Sequence, residues 1–364
     1  MNPTILFAIW TALTGMTHGK RWNNTGTGTI VFEEAVSLDY PEFEKTIAAP
    51  IIGQTYQDLI DNLGDVHNQR LRWMDETGVD YMVLSLTSPG IQGISDPTLA
   101  ERLATRANND FASLISNNTM RFGAFAALSM HNATQAGIEL RRCVQDFGFH
   151  GALLNDYQQA GEDNNTLLYY DQPEYDPFWK VVTELDVPIY LHPRSPTPLV
   201  YEQSFEHAKW LLGAPHQFTV MLSNHIVGLC TNGVFDRFPK LKIIVGHLGE
   251  RIPSDFWRLD EMLARKASQG MPMKRRMSDY WRTNIWETTT GNFWTDLLDF
   301  HLSLLGNDRI LYSVDYPFNM LQEGSKWLRT LPYNHKLKMD LVRNNAIKLL
   351  RLGCGGKHCQ RENA

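Results

Sequence analysis

Eight short apolar runs recur along the chain, with segments of helical periodicity between them. This alternation is typical of βα units, whose strands pair in parallel. Eight such units predict an α/β fold, a single (β/α)8 TIM-type barrel with loops inserted at its C-terminal face. The runs are TIVF (29–32), YMVLSL (81–86), FGAFAAL (122–128), GALLN (151–155), VPIYL (187–191), KIIV (242–245), NIWETT (284–289) and ILYSV (310–314).

One segment between the runs, residues 59–78, has leucine, valine and tryptophan at helical spacing and predicts an amphipathic helix. It ends at Gly78, and glycine is the residue that most readily terminates a helix in the left-handed conformation. Because no Pro-, Gly- or Ser-rich linker divides the chain, residues 29–364 are expected to form one domain.

Composition excludes several classes of protein. With 364 residues, of which 43% are hydrophobic and 20% charged, the chain can bury a core and is not disordered. Its formal charge is -6 and it has no basic run, so we expect no nucleic-acid partner. Four scattered cysteines suit neither a disulfide scaffold nor a Cys-x-x-Cys zinc site. No stretch reaches the roughly 18 apolar residues of a membrane span, so no membrane partner is expected either.

The N-terminus predicts a targeting signal. Residues 4–16 are uncharged and mostly apolar, which is typical of a signal-peptide core. We expect a signal peptide at 1–19, a short leader at 20–28 and entry into the secretory pathway. The residues before that core include no lysine or arginine, which leaves a cytoplasmic location open. Asn-x-Thr sequons, which can carry glycans in a secreted protein, begin at Asn23, Asn117, Asn132 and Asn164.

Residue types that bind metal follow four of the eight predicted strands. Glu33 and Glu34 follow the first run, His192 the fifth, His247 the sixth and Asp315 the eighth. Catalytic groups of a (β/α)8 barrel lie at the C-terminal ends of its strands, so we expect these side chains to converge. Taken singly, each would more often be a structural residue. Together they are the ligand types of one divalent ion, Zn²⁺ or Mn²⁺, with Mg²⁺ left open.

A set of motifs spread over the chain after residue 28 carries a family resemblance. They are EEA (33–35), SLTSPG (85–90), GFHGALLND (148–156), LHP (191–193), GHLGE (246–250), TTTGNF (288–293) and SVDYPF (313–318). With these motifs the chain resembles the metal-dependent decarboxylases of the amidohydrolase superfamily. That group contains aminocarboxymuconate semialdehyde decarboxylase and the fungal 2,3-dihydroxybenzoate, γ-resorcylate and salicylate decarboxylases.

The resemblance implies roles for several residues. The family's metal ligands match Glu33, His192 and Asp315, and His247 matches a histidine near metal and substrate. Ala35 stands where many relatives have histidine, which leaves three protein ligands and an open position for substrate or water. The resemblance also implies a homodimer or homotetramer.

Decarboxylation of an aromatic ring requires an acid. Direct loss of CO2 would leave an anion that the π-system cannot delocalise, so the ring carbon must be protonated first. Asp315 is the candidate donor, and the alternative is that it is only a ligand. His247 and Glu250 could orient or relay the proton as a pair. Glu250 could instead pair with Arg251 or cap the following helix.

Four further residues are candidates for substrate contacts. Phe318 and Phe293 could lie against a planar ring, with plain packing as the alternative. Arg194 could bind a carboxylate through both arms of its guanidinium or form a surface salt bridge. Asn155 closes the fourth run and could touch polar substituents.

These observations predict a carboxy-lyase, a non-oxidative metal-dependent decarboxylase of an ortho-hydroxylated aromatic acid. Its substrates would be of the salicylate, 6-methylsalicylate, orsellinate or dihydroxybenzoate type. Two alternatives remain open at this point. One is a hydrolase of a lactone or similar carbonyl that uses metal-bound water, and the other is a secreted, non-catalytic binder of metal or phenols.

Overall fold

The computed structural model describes residues 21–43 and 51–353. The predicted signal peptide at 1–19 therefore lies outside the described residues, as do Cys354 and Cys359. Among the helices of the two described ranges, none combines the length and the apolar character needed to cross a bilayer.

Each of the eight predicted runs contains a strand. A short antiparallel hairpin, which the sequence analysis did not predict, adds two more. The strands are β1 (Thr29–Val36), β2 (Val79–Leu86), β3 (Phe122–Ala124), β4 (Ala152–Asn155), β5 (Gln158–Ala160), β6 (Thr166–Leu168), β7 (Pro188–His192), β8 (Lys242–Val245), β9 (Ile285–Thr288) and β10 (Ile310–Leu311).

Helices lie between the parallel strands and after the last of them. They are α1 (Tyr56–Gly64), α2 (Gln69–Thr77), α3 (Pro97–Ile115), α4 (Ala133–Asp146), α5 (Asp176–Leu185), α6 (Pro198–Ser204), α7 (Gln217–Thr231), α8 (Val234–Arg237), α9 (Gly246–Gly249), α10 (Phe256–Ala264), α11 (Met277–Thr283), α12 (Thr295–Leu305), α13 (Leu321–Thr330), α14 (His335–Met339) and α15 (Asn345–Leu350).

The single helix predicted over 59–78 is wrong, because the structure divides this segment into α1 and α2. The break is at Asp65, whose carboxylate accepts hydrogen bonds from the backbone N–H groups of Asn68 and Arg70 at 3.1 and 2.8 Å. These bonds satisfy donors at the start of α2 that have no partner within the helix. The predicted end at Gly78 is confirmed, since that residue is left-handed with φ of 75°.

Two parallel sheets carry the eight strands. One has the order β1-β2-β3 and the other β10-β9-β8-β7-β4. A parallel bridge between Ala126 and Ala152 joins the sheets on one side. On the other side the Ala35 N–H donates to the Tyr316 carbonyl at 2.8 Å. The α/β class is thus confirmed, and the carboxyl ends of the strands within each sheet lie at the same edge.

Alternate strand residues pack into two different apolar clusters, as the two-residue period of a strand requires. Val31 packs in a large cluster that also contains residues of the surrounding helices. Its neighbours Ile30 and Phe32 pack in a second cluster to which all eight parallel strands or the residues directly after them contribute. The side chains from the other strands in that cluster are Tyr81, Val83, Phe125, Leu153, Tyr190, Ile244, Trp286 and Leu311.

Candidate metal and active site

Three side chains from distant parts of the chain form a compact cluster of metal-ligand types. Glu33 lies on β1, His192 ends β7 and Asp315 follows β10. One potential ligand atom from each lies within 4.8 Å of the other two, and Glu33 is buried. The strands bring these residues together because the carboxyl ends of parallel neighbours meet at one edge. A carboxylate, an imidazole and a second carboxylate are a donor set that divalent ions take from proteins.

Glu34 does not join this cluster. β1 continues to Val36, so Glu33 and Glu34 lie within the strand rather than after it. The register of β1 against β2 shifts between Val31 and Glu34, and the Glu34 carboxylate bonds to residues 313–316 instead of the cluster. Burial raises the pKa of Glu34 to about 7, although hydrogen bonds from the Tyr316 N–H and the Ser313 hydroxyl oppose the rise. The sequence placed both carboxylates at the mouth of the barrel, and only Glu33 reaches the cluster.

The orientation of the His192 ring fits a bound cation. Its Nδ1 lies 3.1 Å from Asn155 Oδ1, and the Asn155 amide nitrogen faces the Pro89 carbonyl at 3.1 Å. This orientation makes Nδ1 the donor to Asn155 and turns Nε2 toward the ligand cluster. Nε2 lies 3.2 Å from Glu33 Oε1, a buried oxygen with no other hydrogen-bond partner. A ring nitrogen and a carboxylate oxygen that face each other, with the other ring nitrogen held by a neighbouring group, are what the residues of a metal site present to the ion.

The Asn155 side chain thus has a different role from the one predicted. Its amide group is occupied by His192, Pro89 and Gln92, and its side chain is buried. The predicted contact with polar substituents of a substrate is therefore replaced by a contact that orients a metal ligand. A spacing argument could not find this, because Asn155 and His192 are paired across two adjacent strands.

Replacing Asn155 by alanine is expected to weaken binding of Mn²⁺ about 10- to 100-fold, the usual effect of losing the partner that orients a ligating histidine. Titration of the metal-stripped protein with Mn²⁺, followed by the signal of free Mn²⁺ in electron paramagnetic resonance, measures this. Asn108→Ala is the matched control, since Asn108 is also a buried amide but holds the Ala127 backbone. Equal affinities of the two variants would contradict the role assigned to Asn155.

Glu33 is held as a carboxylate by its surroundings. Burial alone would raise its pKa, but His247 and His192 outweigh burial and lower the pKa to about 2. The second carboxylate oxygen accepts a hydrogen bond from the Tyr190 hydroxyl, which also contacts Thr288 Oγ1 at 2.9 Å. Sequence reasoning missed Tyr190. The signal was present, because Tyr190 precedes His192 by two residues on one strand and so shares its face.

His247 and Glu250 form the predicted pair. Glu250 Oε1 lies 2.6 Å from His247 Nδ1, whereas Arg251 faces His216 and the Pro215 carbonyl. The structure therefore pairs Glu250 with His247 rather than with Arg251. Burial alone would lower the pKa of His247, but Glu250 and Glu33 outweigh it and raise the pKa to about 10.

An unusual backbone turn presents this pair. Residues 247–251 all have positive φ, from 51° to 69°, and a stretch of such residues is costly outside functional sites. At its centre Gly249 passes directly over the Glu287 carboxylate, where a Cβ would collide with it. Glu287 in turn accepts hydrogen bonds from Trp281 and lies 2.6 Å from His301 Nδ1. Glycine is thus required at position 249, because a Cβ would clash with Glu287 and because φ is positive.

Asp315 connects the ligand cluster to an open cavity. Its φ is 81°, and burial raises the pKa of its carboxyl well above the usual range, to which the Glu33 charge adds. A cavity of about 290 Å³ is lined by Asp315, His247, Glu250 and Asn319, among other residues. A smaller hollow on the other side of Asp315 is lined by Glu33, His192 and Phe318. Asp315 therefore faces both the ligands and a space large enough for a small aromatic molecule.

The remaining substrate candidates divide between the site and the core. Phe318 lines the hollow with the ligand cluster and also packs on Ala35. Phe293 packs against Trp327 with ring centroids 5.5 Å apart, which agrees with the packing alternative. The surface salt bridge considered for Arg194 is wrong because this side chain is buried. Its guanidinium donates to the Gln92 carbonyl at 2.6 Å and to Gln159 Oε1 at 2.9 Å, so it is already occupied by the protein.

A comparison with protein families decides the membership of the chain. The family described as amidohydrolase matches residues 61–352. The chain belongs to this family. The chain is 39% identical over 326 residues to gamma-resorcylate decarboxylase from Rhizobium sp. (strain MTP-10005), and the matched region covers 89% of this chain and 98% of the relative.

Solved structures agree with this placement. The chain resembles a 2,6-dihydroxybenzoate decarboxylase in complex with 2,6-dihydroxybenzoate, with a TM-score of 0.82 and 38% identity over 89% of this chain and 99% of the other. It also resembles a dihydroxybenzoic acid decarboxylase from Polaromonas sp. JS666 with bound manganese and the inhibitor 2-nitroresorcinol. For this pair the TM-score is 0.81 and the identity 36%, over 89% and 97% of the two chains. The predicted family and the predicted class, an aromatic-acid decarboxylase and hence a carboxy-lyase, are confirmed.

Proposed function

We propose that the chain removes CO2 from an aromatic acid that carries a hydroxyl ortho to the carboxylate and releases the corresponding phenol. The observation that carries the proposal is Asp315, a half-buried carboxyl shared between the ligand cluster and the 290 Å³ cavity. Salicylate, 6-methylsalicylate, orsellinate and the dihydroxybenzoates are the substrate types considered. The relatives whose names and ligands are dihydroxybenzoates support this class.

The proposed metal is one divalent ion, Mn²⁺ or Zn²⁺, held by Glu33, His192 and Asp315. Manganese in a solved relative supports the first of these. When bound, such an ion lowers the pKa of the ortho hydroxyl and holds it beside the carboxylate. The approach of His192 Nε2 to Glu33 Oε1 and the absence of another hydrogen-bond partner for that oxygen support the assignment of these two ligands.

The chain's own residues then supply the proton. Burial and the neighbouring Glu33 charge raise the pKa of the Asp315 carboxyl, which favours this residue as the acid. Asp315 would donate a proton to the ring carbon that bears the carboxylate. The bond to CO2 then breaks and its electron pair restores the aromatic ring. His247, kept protonated by Glu250, lies beside Asp315 and is placed to return a proton from solvent to it.

We further propose that the eight parallel strands close into one (β/α)8 barrel within a single domain of residues 29–364. Support comes from the contacts on both sides where the two sheets meet, Ala126 with Ala152 and Ala35 with Tyr316. The second apolar cluster, to which every parallel strand contributes, also favours a closed interior. In this arrangement the loops after β1 and β7 lie at the C-terminal face.

The decarboxylase proposal is tested by product analysis. Metal-loaded protein is incubated with salicylate, 6-methylsalicylate, orsellinate, 2,3-dihydroxybenzoate and 2,6-dihydroxybenzoate, and CO2 and phenol are measured. At least one should yield the two products in equal amounts, while 4-hydroxybenzoate, which lacks an ortho hydroxyl, should yield neither. Conversion of a lactone to an acid without CO2 from any of these acids would favour the hydrolase alternative instead.

We also propose that the chain enters the secretory pathway and carries glycans. Three of the four sequon asparagines, Asn117, Asn132 and Asn164, are exposed and thus accessible to glycosylation. Expressed in a yeast host, the protein should lose its residues up to about Gly19 or Arg21 and should decrease in mass on deglycosylation. N-terminal sequencing and mass spectrometry measure both. An intact Met1 on cytosolic, unglycosylated protein would contradict this proposal.

The homodimer or homotetramer implied by the family resemblance is likewise proposed. Aromatic side chains are enriched at protein–protein interfaces, and three tryptophans are available for one. They are Trp210, Trp257 and Trp294, with 82%, 75% and 61% of their surface exposed.

A further inference from the structure

Glu34 is a buried carboxylate that the proposed chemistry does not use. None of its surface is exposed, and it lies outside the cluster that Glu33 forms with His192 and Asp315. It accepts three hydrogen bonds, all from the segment that carries Asp315. Oε1 accepts from the Ser313 hydroxyl at 2.9 Å and from the Val314 N–H at 3.2 Å, and Oε2 accepts from the Tyr316 N–H at 2.8 Å.

Ser313 also accepts hydrogen bonds from β1, the strand that carries Glu34. Its hydroxyl accepts hydrogen bonds from the backbone N–H groups of Phe32 at 2.9 Å and Glu33 at 3.1 Å. With its own proton donated to Glu34, the hydroxyl makes one donated and two accepted bonds, which is its full capacity. The two side chains therefore bind the backbone on the N-terminal side of Glu33 and the N–H groups of the two residues that flank Asp315.

These bonds lie where the two sheets meet. β1 and β10 are each an edge strand of their own sheet, so no regular ladder of backbone hydrogen bonds pairs one with the other. Residues about 280 positions apart in the sequence are joined there by side chains instead. Asp315 itself has φ of 81°, a conformation that costs energy in residues other than glycine. The N–H groups that donate to Glu34 belong to Val314 and Tyr316, the residues directly before and after Asp315.

We propose that Glu34 and Ser313, here called the seam pair, are positioning residues that set the distance between the Glu33 and Asp315 carboxylates. The inference rests on the proposed metal site and assigns a role to residues outside the ligand set. Without the seam pair, Asp315 would be free to leave its left-handed conformation and the cluster would lose its geometry. Loosely held ligands bind a metal ion more weakly, because the ion must then order them.

Conservative substitutions remove the seam pair with little change of shape. In Glu34→Gln the amide can offer an oxygen to only one side, so that an NH2 group faces either the Tyr316 N–H or the Val314 N–H. In Ser313→Ala the backbone N–H groups of Phe32 and Glu33 lose their acceptor. Both changes leave Glu33, His192 and Asp315 in place. Asp80→Asn is the matched control. Asp80 is a buried carboxyl near the start of β2, outside the ligand cluster, and accepts hydrogen bonds from the N–H and the hydroxyl of Thr25.

The test measures Mn²⁺ affinity without substrate. Full-length protein is stripped of metal with a chelator and titrated with Mn²⁺, and free Mn²⁺ is followed by electron paramagnetic resonance. We expect Glu34→Gln and Ser313→Ala to raise the dissociation constant about 10- to 100-fold, the range found when groups that orient metal ligands are lost. Asp80→Asn should bind Mn²⁺ as the wild type does, even where its thermal unfolding temperature falls.

Circular dichroism establishes which variants are folded. Ser313→Ala removes a single hydroxyl and decides the test if Glu34→Gln does not fold. A folded Ser313→Ala variant with wild-type Mn²⁺ affinity would overturn the proposal, as would an equal loss of affinity in Asp80→Asn. The titration contains no substrate, so its outcome does not depend on the decarboxylase assay. The role proposed for the seam pair can be supported even if no aromatic acid of the panel gives CO2, and it can be rejected even if one does.

Discussion

Replacing Asp315 by asparagine is expected to reduce turnover by at least about 10²- to 10⁴-fold, the usual cost of losing a positioned acid. Asparagine has nearly the same size and keeps one oxygen that can face the metal. It has no proton to exchange at the pKa that burial gives Asp315. We therefore expect the loss in kcat rather than in KM, measured at saturating metal with the best substrate of the panel.

Isotope labelling tests the same step directly. Wild-type protein in D2O should place one deuterium at the ring carbon that loses CO2, as mass spectrometry of the phenol would reveal. Metal content and substrate affinity of Asp315→Asn are measured in parallel, so that loss of the ion is not mistaken for loss of the acid. If the variant turned over at nearly the wild-type rate with metal bound, the acid role would move to His247, the remaining protonated group beside the cavity.

Much of the fold could be predicted because a parallel strand is a local pattern. Short β-rich runs separated by helical segments indicate βα units whatever the rest of the chain does, and each predicted run contains a strand. Lengths were less predictable. β10 has only two residues where five were predicted, since its last residues exchange ladder bonds for side-chain bonds such as those of Ser313.

The gathering of Glu33, His192 and Asp315 was also open to prediction. It needs only the rule that strands of one barrel end at one face, and the structure places these side chains within 4.8 Å. The rule does not predict the direction in which each side chain points. It therefore could not separate Glu33, which reaches the cluster, from Glu34, which binds residues 313–316.

The residues that orient the ligands could not be predicted from the sequence. Asn155 contacts His192 across neighbouring strands, and Arg194 is occupied by carbonyl groups from two loops. Such contacts depend on the register of the strands and on the paths of loops, which no local pattern encodes. The β5–β6 hairpin was missed for a similar reason, because its residues are too few to show a period.

Removal of the His192 imidazole is expected to abolish metal binding and, with it, decarboxylation. Wild-type protein should contain about one divalent ion per chain, and His192→Ala close to none, because two carboxylates alone make a weak site for Mn²⁺ or Zn²⁺. Metal analysis by mass spectrometry of the purified proteins measures occupancy. Circular dichroism should show the variant folded, since His192 lies at the end of β7 and not within the apolar clusters.

His131→Ala is the matched control for this prediction. His131 is also half-buried and bound through Nε2, at 2.9 Å from the Ile94 carbonyl, but lies outside the ligand cluster. It should retain its metal and its activity. Added imidazole should restore part of the metal content of His192→Ala, because it can occupy the space of the missing ring and supply the same nitrogen ligand. Full occupancy of His192→Ala without imidazole would remove His192 from the ligands. The orientation in which Asn155 holds the His192 ring would then require another explanation.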